Sequence, residues 1–207
     1  FLQKAEIADP GMKAHNSTSA IWGGFIQDVD KFDALYFNIP PVEAEQMDPQ
    51  QRLFLQCAAH ALEHAGYGRV DGVSNKSVGV FVGTMWNEYS HLVARQGLMN
   101  NEYKGPGSIY WAIANRVSYF FNLRGPSLAV DTACSSSLTS IALACQQIAS
   151  GECDMAIAGG INLSFHPSKY IYLGQARFLA NDGRCRSFGK DGSGYVPGEG
   201  VGAVILK

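Results

Sequence analysis

The sequence predicts an α/β layered domain. Short apolar runs rich in Val, Ile, Ala and Gly alternate along the chain with stretches whose apolar residues recur at helical spacing, and Gly, Pro and Asn punctuate the changes. Composition agrees: 46% of the 207 residues are apolar and only 16% charged, so much of the chain must be buried.

Residues 1–21 read as an irregular lead-in, with Pro10, Gly11 and the polar cluster Asn16 to Ser19 preceding Trp22-Gly23-Gly24-Phe25-Ile26. Asp48 then offers an N-cap, Pro49 a first helical position and Gln51 the reciprocal capping partner. From there Phe54, Cys57, Ala58, Ala61, Leu62 and Ala65 repeat at helical spacing until Gly66 stops the run. Ser77 to Gly83 (SVGVFVG) suits a strand buried on both faces. A second helix is predicted from about Ile109 to Phe121, ending near Asn122 ahead of Gly125-Pro126.

Ser127 to Val130 reads as a short strand, and Ser135 to Ala149 as a helix with Leu138, Ile141, Ala142, Cys145, Ile148 and Ala149 on its apolar side. Asp154 to Leu163 and Tyr195 to Leu206 are predicted to be further buried strands. A helix around Lys169 to Leu179 and the turn-rich segment Asn181 to Gly194 separate them.

Sixteen Lys and Arg against eighteen Asp and Glu give a net charge of -2 with no long run of either sign, so no nucleic-acid footprint is visible. No apolar run approaches the roughly 18 residues of a membrane span, and the start lacks a signal-peptide pattern; a soluble cytoplasmic protein is the expectation. The five cysteines, Cys57, Cys134, Cys145, Cys153 and Cys185, are odd in number and contain no C-x-x-C pair, which points to reduced thiols.

One junction carries chemistry. Asp131-Thr132-Ala133-Cys134-Ser135-Ser136-Ser137-Leu138 places a cysteine between the end of a buried strand and the first turn of a buried helix. Unpaired N–H groups and the positive end of the helix dipole favour a thiolate there. The same N–H groups can hold the oxyanion formed when a thiolate attacks a thioester, while Ala133 and Ser135 leave room for an acyl group. Acyl transfer is the reaction that suits this arrangement. The competing reading is that Cys134 is a small core residue, as free cysteines commonly are.

DTACSSSL resembles the active-site element of the β-ketoacyl synthases, and its surroundings resemble the ketosynthase domain of modular type I polyketide synthases. The blocks in order run from Trp22 to Tyr67, from Ala114 to Leu138, from Gly151 to Leu163 (GECDMAIAGGINL), and from Asp182 to Lys207, where DGRCRSF is followed by GYVPGEGVGAVILK. The resemblance implies the N-terminal half of a thiolase-like fold, with residues 1–207 forming part of a ketosynthase domain. It further implies that Cys134 accepts an acyl chain from the phosphopantetheine arm of an acyl carrier protein. An enolate from a decarboxylated malonyl thioester on another carrier then attacks that chain, forming a carbon–carbon bond. No cofactor binds directly. A homodimer is implied, with Ser127 to Thr132 and Asn115 to Phe121 at its interface.

Two downstream histidines that the family uses for decarboxylation, one before Gly-Thr-Gly-Thr and one ending Asn-x-Gly-His, have no counterpart. His15, His60, His64, His91 and His166 lie in other contexts. The chain therefore reads as an internal fragment, expected to load an acyl group without completing condensation and to expose apolar surface to association. The alternative within the family is a non-elongating synthase that relays acyl chains or serves as a dimer scaffold.

Other motifs have plainer readings. His60-Ala61-Leu62-Glu63-His64 matches the zinc peptidase pattern H-x-x-E-H, for which a solvated helix edge is the plainer account. Gly198-Glu199-Gly200-Val201-Gly202 lacks the spacing of a phosphate loop and reads as a close-packed strand. Ser193 lies outside any G-x-S-x-G elbow. Asp131 and Glu199 are read as loop anchors rather than catalytic acids.

Overall fold

The computed structural model describes residues 20–68, 72–100 and 108–207. The chain divides into two compact units. Of the described residues, the larger comprises those within 27–162 and 200–207, and the smaller those within 20–26 and 163–199.

The larger unit is built on a four-stranded sheet of order β2-β1-β3-β4, formed by β1 (Val78–Gly83), β2 (Ser127–Val130), β3 (Met155–Asn162) and β4 (Gly200–Leu206). β1 is parallel to both β2 and β3, whereas β4 runs antiparallel to β3. Central β1 is buried at every position, as its unbroken VGVFVG run requires when helices cover both faces. On one side lies α5 (Ser136–Ala149), packed on β1 and β3, where Phe81, Ala144, Cys153, Ala156 and Ala158 form a cluster. α2 (Pro49–His64) packs against β3 and β4, and α4 (Tyr110–Phe120) against β1 and β2. These two helices also pack on each other, burying Phe54, Leu55, Ala58, Leu62, Ile113, Ala114 and Val117.

α2 begins as its sequence dictates. The Asp48 carboxylate accepts from Gln50 N at 2.8 Å, Pro49 occupies the first turn, and Gly66 follows the last turn at φ +80°. Gln51 is put to a further use, accepting from Arg116 Nε at 2.9 Å, while Arg116 also pairs with Glu43 at 2.6 Å. That arginine ties α1 (Pro41–Gln46), α2 and α4 together.

The smaller unit contains α6 (Pro167–Gln175), an isolated bridge between Leu179 and Tyr195, and another between Gly24 and Gly198. Buried Lys169 donates to Leu163 O and Ser164 Oγ.

Four expectations need correction. The last strand starts at Gly200 rather than Tyr195, and it is a half-exposed edge strand, not a buried one. β2 is likewise a half-exposed edge strand, so the element leading to Cys134 is not deeply buried. α5 exposes Leu138, Ala142, Cys145 and Ala149 and turns Ser136, Ser140 and Ala144 to the sheet, with Ile141 and Ile148 partly buried. Finally, α1 and α3 (Tyr89–Asn100) are helices that apolar periodicity did not announce. Of the lead-in, residues 1–19 lie outside the described residues, and 20–26 contain only the Gly24 bridge.

Candidate active site

The site is the turn between β2 and α5. After Val130 the chain passes through Asp131 and Thr132, and Ala133 then adopts φ +55°, in the left-handed region. For a residue with a Cβ this costs about 1–2 kcal/mol, so neighbouring bonds must hold it. Three do so. Asp131 Oδ1 accepts from Ala133 N at 2.9 Å, closing an Asx turn. Ser136 Oγ accepts from Thr132 N at 2.9 Å and donates to Ala133 O at 2.6 Å. Ser135 Oγ donates to Thr132 O at 2.8 Å, and the Thr132 hydroxyl lies 2.9 Å from that of Ser135 and 3.0 Å from that of Thr139.

Cys134 follows this strained residue directly. It is exposed, immediately ahead of the N-cap residue Ser135 and the first helical residue Ser136. The thiol is therefore presented to solvent at the mouth of α5, where backbone N–H groups of the first turn lack intrahelical acceptors. Of the five cysteines, Cys134, Cys145 and Cys185 are exposed; Cys57 is half-buried and Cys153 buried. Burial pushes the thiols of Cys57 and Cys153 above the usual cysteine range, which suits inert packing residues.

Glycines set the depth at which the turn sits. A Cβ on Gly83 would lie 2.4 Å from Ser137 N and 2.5 Å from Ser136 C, and one on Gly160 would lie 2.8 Å from Ser137 Cβ. The first turn of α5 thus rests on bare backbone at the ends of β1 and β3. Deeper along the helix, Ser140 Oγ bridges Ser137 O and Gly159 O at 2.8 Å each, satisfying a buried hydroxyl against the sheet.

The remaining candidates behave as anchors. The Glu199 carboxylate accepts from Ile26 N at 2.9 Å and Ser164 N at 2.8 Å, both within the smaller unit. His60, Glu63 and His64 are exposed on α2, with Glu63 accepting from Tyr36 OH. Among the described residues no three His, Cys, Asp or Glu side chains converge as a metal site would require, and no helix is long and apolar enough to cross a membrane.

An exposed thiol on a strand–turn–helix elbow gains its meaning from relatives. The Beta-ketoacyl synthase, N-terminal domain profile matches residues 2–207. The chain belongs to the β-ketoacyl synthase family. Polyketide synthase PksL of Bacillus subtilis (strain 168) is 54% identical over 196 residues, covering 92% of this chain and 4% of that protein. Polyketide synthase ThaG of Burkholderia thailandensis is 51% identical over 202 residues, covering 98% of this chain and 4% of the relative.

Among solved structures, an oxazolomycin ketosynthase domain of Streptomyces albus JA3453 superposes with a TM-score of 0.86 at 47% identity, covering 98% of this chain and 35% of the other. The module 6 ketosynthase of the bacillaene synthase of Bacillus subtilis 168 gives 0.80 at 44% identity, covering 89% and 31% respectively. This ketosynthase sequence thus has the thiolase-like fold and spans about a third of those solved ketosynthase chains.

Sequence reasoning located the ketosynthase elbow but not what holds it. Ser135, Ser136 and Ser137 read in sequence as hydrogen bonders at the helix start, whereas Gly83 and Gly160 carry no such reading; their signal is the coincidence of two glycines near strand ends with a run of small residues opening a helix.

Proposed function

We propose that this chain carries the acyl-accepting half of a decarboxylative Claisen condensation in polyketide chain elongation, with Cys134 as the nucleophile. The observation that carries the reading is the exposed thiol at the strained elbow of a chain matched along nearly its whole length by the family.

The Cys134 sulfur attacks the carbonyl of an acyl thioester delivered on the phosphopantetheine arm of an acyl carrier protein. A new carbon–sulfur bond forms to Cys134, the carrier's carbon–sulfur bond breaks, and the carrier thiolate leaves and takes up a proton. Extension follows when a carrier-bound malonyl group loses carbon dioxide and its enolate attacks the Cys134 thioester, releasing the thiolate.

The edge position of β2 and the exposure of Leu128 on it, with Tyr119 and Trp111 exposed on α4, support a homodimer closing over these elements. An elongation assay with carrier-bound acyl and malonyl substrates tests the reading in the full-length protein. Cys134→Ala should abolish formation of the extended β-ketoacyl product, and elongation at the wild-type rate would exclude Cys134 as the nucleophile.

A further inference from the structure

Ser136 is a buried residue one turn into chemistry it does not touch. The residue is 5% exposed, and its one hydroxyl makes two bonds that both belong to the elbow: it accepts from Thr132 N and donates to Ala133 O. The first belongs to the peptide that enters Thr132, and the second is the carbonyl that leaves Ala133. The hydroxyl thus grips the chain on both sides of the residue with φ +55° and fixes the direction in which the next residue, Cys134, projects.

Backbone contacts at the turn include an isolated bridge between Thr132 and Cys134. Ser136 N also reaches Ala133 O, at 3.1 Å, but no helical ladder bond restrains Thr132, which lies four residues ahead of the helix start. Ser135 holds the Thr132 carbonyl from the exposed side, and Ser136 holds its N–H from the buried side. Behind Ser136 the backbone is seated against Gly83, so the clamp is referred to the most buried strand of the sheet.

We infer that Ser136 is a positioning residue for the Cys134 nucleophile: its hydroxyl locks the left-handed turn at Ala133 and so sets the trajectory of the thiol toward an incoming acyl thioester. This rests on the reading of Cys134 as the acyl acceptor and adds to it the residue that aims the sulfur. The hydroxyl neither contacts the reacting atoms nor transfers a proton to them. Its influence on rate comes through placement, to which acyl transfer is sensitive at the scale of an ångström.

The test measures single-turnover loading of a short-chain acyl thioester onto the full-length protein, alongside iodoacetamide labelling of Cys134 with exposed Cys145 and Cys185 as internal references. Ser136→Ala should slow acyl loading at least tenfold while Cys145 and Cys185 label at wild-type rates. Ser136→Thr, which keeps the hydroxyl, should restore loading to within threefold. In an Ala133→Gly background, where the left-handed turn is free of its Cβ cost, removing the hydroxyl should cost at least threefold less. Amide exchange in the wild-type protein adds a readout independent of any variant: the exposed residue Thr132 should show a protected N–H.

Loading by Ser136→Ala within twofold of wild type would overturn the inference, as would failure of both the threonine and the glycine background to recover a lost rate. Rapid exchange at Thr132 would overturn it even if Ser136→Ala failed to fold. Loss of loading in Cys134→Ala with normal loading in Ser136→Ala refutes the positioning role alone, whereas persistent loading in Cys134→Ala refutes the nucleophile assignment beneath it.

Discussion

Gly83→Ala adds one methyl group where the structure has no space for it. The new Cβ would stand 2.4 Å from Ser137 N, 2.5 Å from Ser136 C and 2.7 Å from Ser137 Cα, all backbone atoms of the α5 first turn. A side-chain tip could swing away, but a helix turn cannot. Restoring ordinary contact at 3.4 Å requires α5 to retreat by about 1 Å at the residue three positions after Cys134. Overpacking of this kind costs about 1–3 kcal/mol, and the backbone character of the clash places it near the upper end. At about 3 kcal/mol, the melting temperature of a domain this size should fall by roughly 6–12 °C.

The functional loss should exceed the loss of folded protein, because a 1 Å displacement of a reacting group costs on the order of 100-fold in rate. Calorimetry and single-turnover acyl loading below the lowered transition separate the two effects. A Gly83→Ala protein that melts within 2 °C of wild type and loads normally would refute the claim that bare backbone at the end of β1 seats the elbow.

Four other outcomes are expected. Burial of Asp48 raises its carboxyl above the ordinary 3.8 despite bonds from Ser108 and Gln50, so the native state holds that proton more tightly than the unfolded chain. Its contribution to stability is full below 3.8 and declines as pH rises through the native value; the melting temperature of Asp48→Asn relative to wild type should therefore climb over that window, and a fall would contradict the sign. Glu199→Gln replaces one accepting oxygen with a donor facing either Ile26 N or Ser164 N, and denaturant titration should register a loss of about 2 kcal/mol; an unchanged midpoint would deny the anchor role. The 207-residue chain expressed alone should self-associate through its exposed apolar residues, among them Leu138 at 72% and Tyr119 at 87% exposure, and a monomer in light scattering would disprove this. That same chain should load an acyl group yet form no condensation product, and a β-ketoacyl product in chromatography would contradict the division of labour inferred from its histidines.

Legibility in the sequence followed the kind of force at work. α2 was readable because its signals are local: an aspartate cap, a proline in the first turn and a glycine after the last. β1 and β3 were readable because burial on both faces demands an unbroken apolar run. The buried face of α5 was misread because hydrophobic periodicity selects the most apolar side, whereas close approach to Gly83 and Gly160 selects the smallest. Ser136 and Ser137 make that approach, and the buried Ser140 and Ala144 follow on the sheet side, leaving Leu138 outward.

At the site, the elbow and its cysteine could be located from residue order alone. The left-handed conformation of Ala133 could not, since nothing about an alanine announces positive φ; it is imposed by hydroxyls at Ser135 and Ser136 whose partners lie across the turn. The Asp48–Ser108 bond likewise joins residues 60 apart in sequence, beyond the reach of any local motif.

The most direct measurement is peptide mapping by mass spectrometry after the full-length protein has been incubated with an acyl thioester and quenched in acid. The added acyl mass should appear on the peptide containing Cys134, should be released by hydroxylamine, and should be missing from Cys134→Ala. An acyl group found on Cys145 or Cys185 instead, or retained in full by Cys134→Ala, would contradict the assignment.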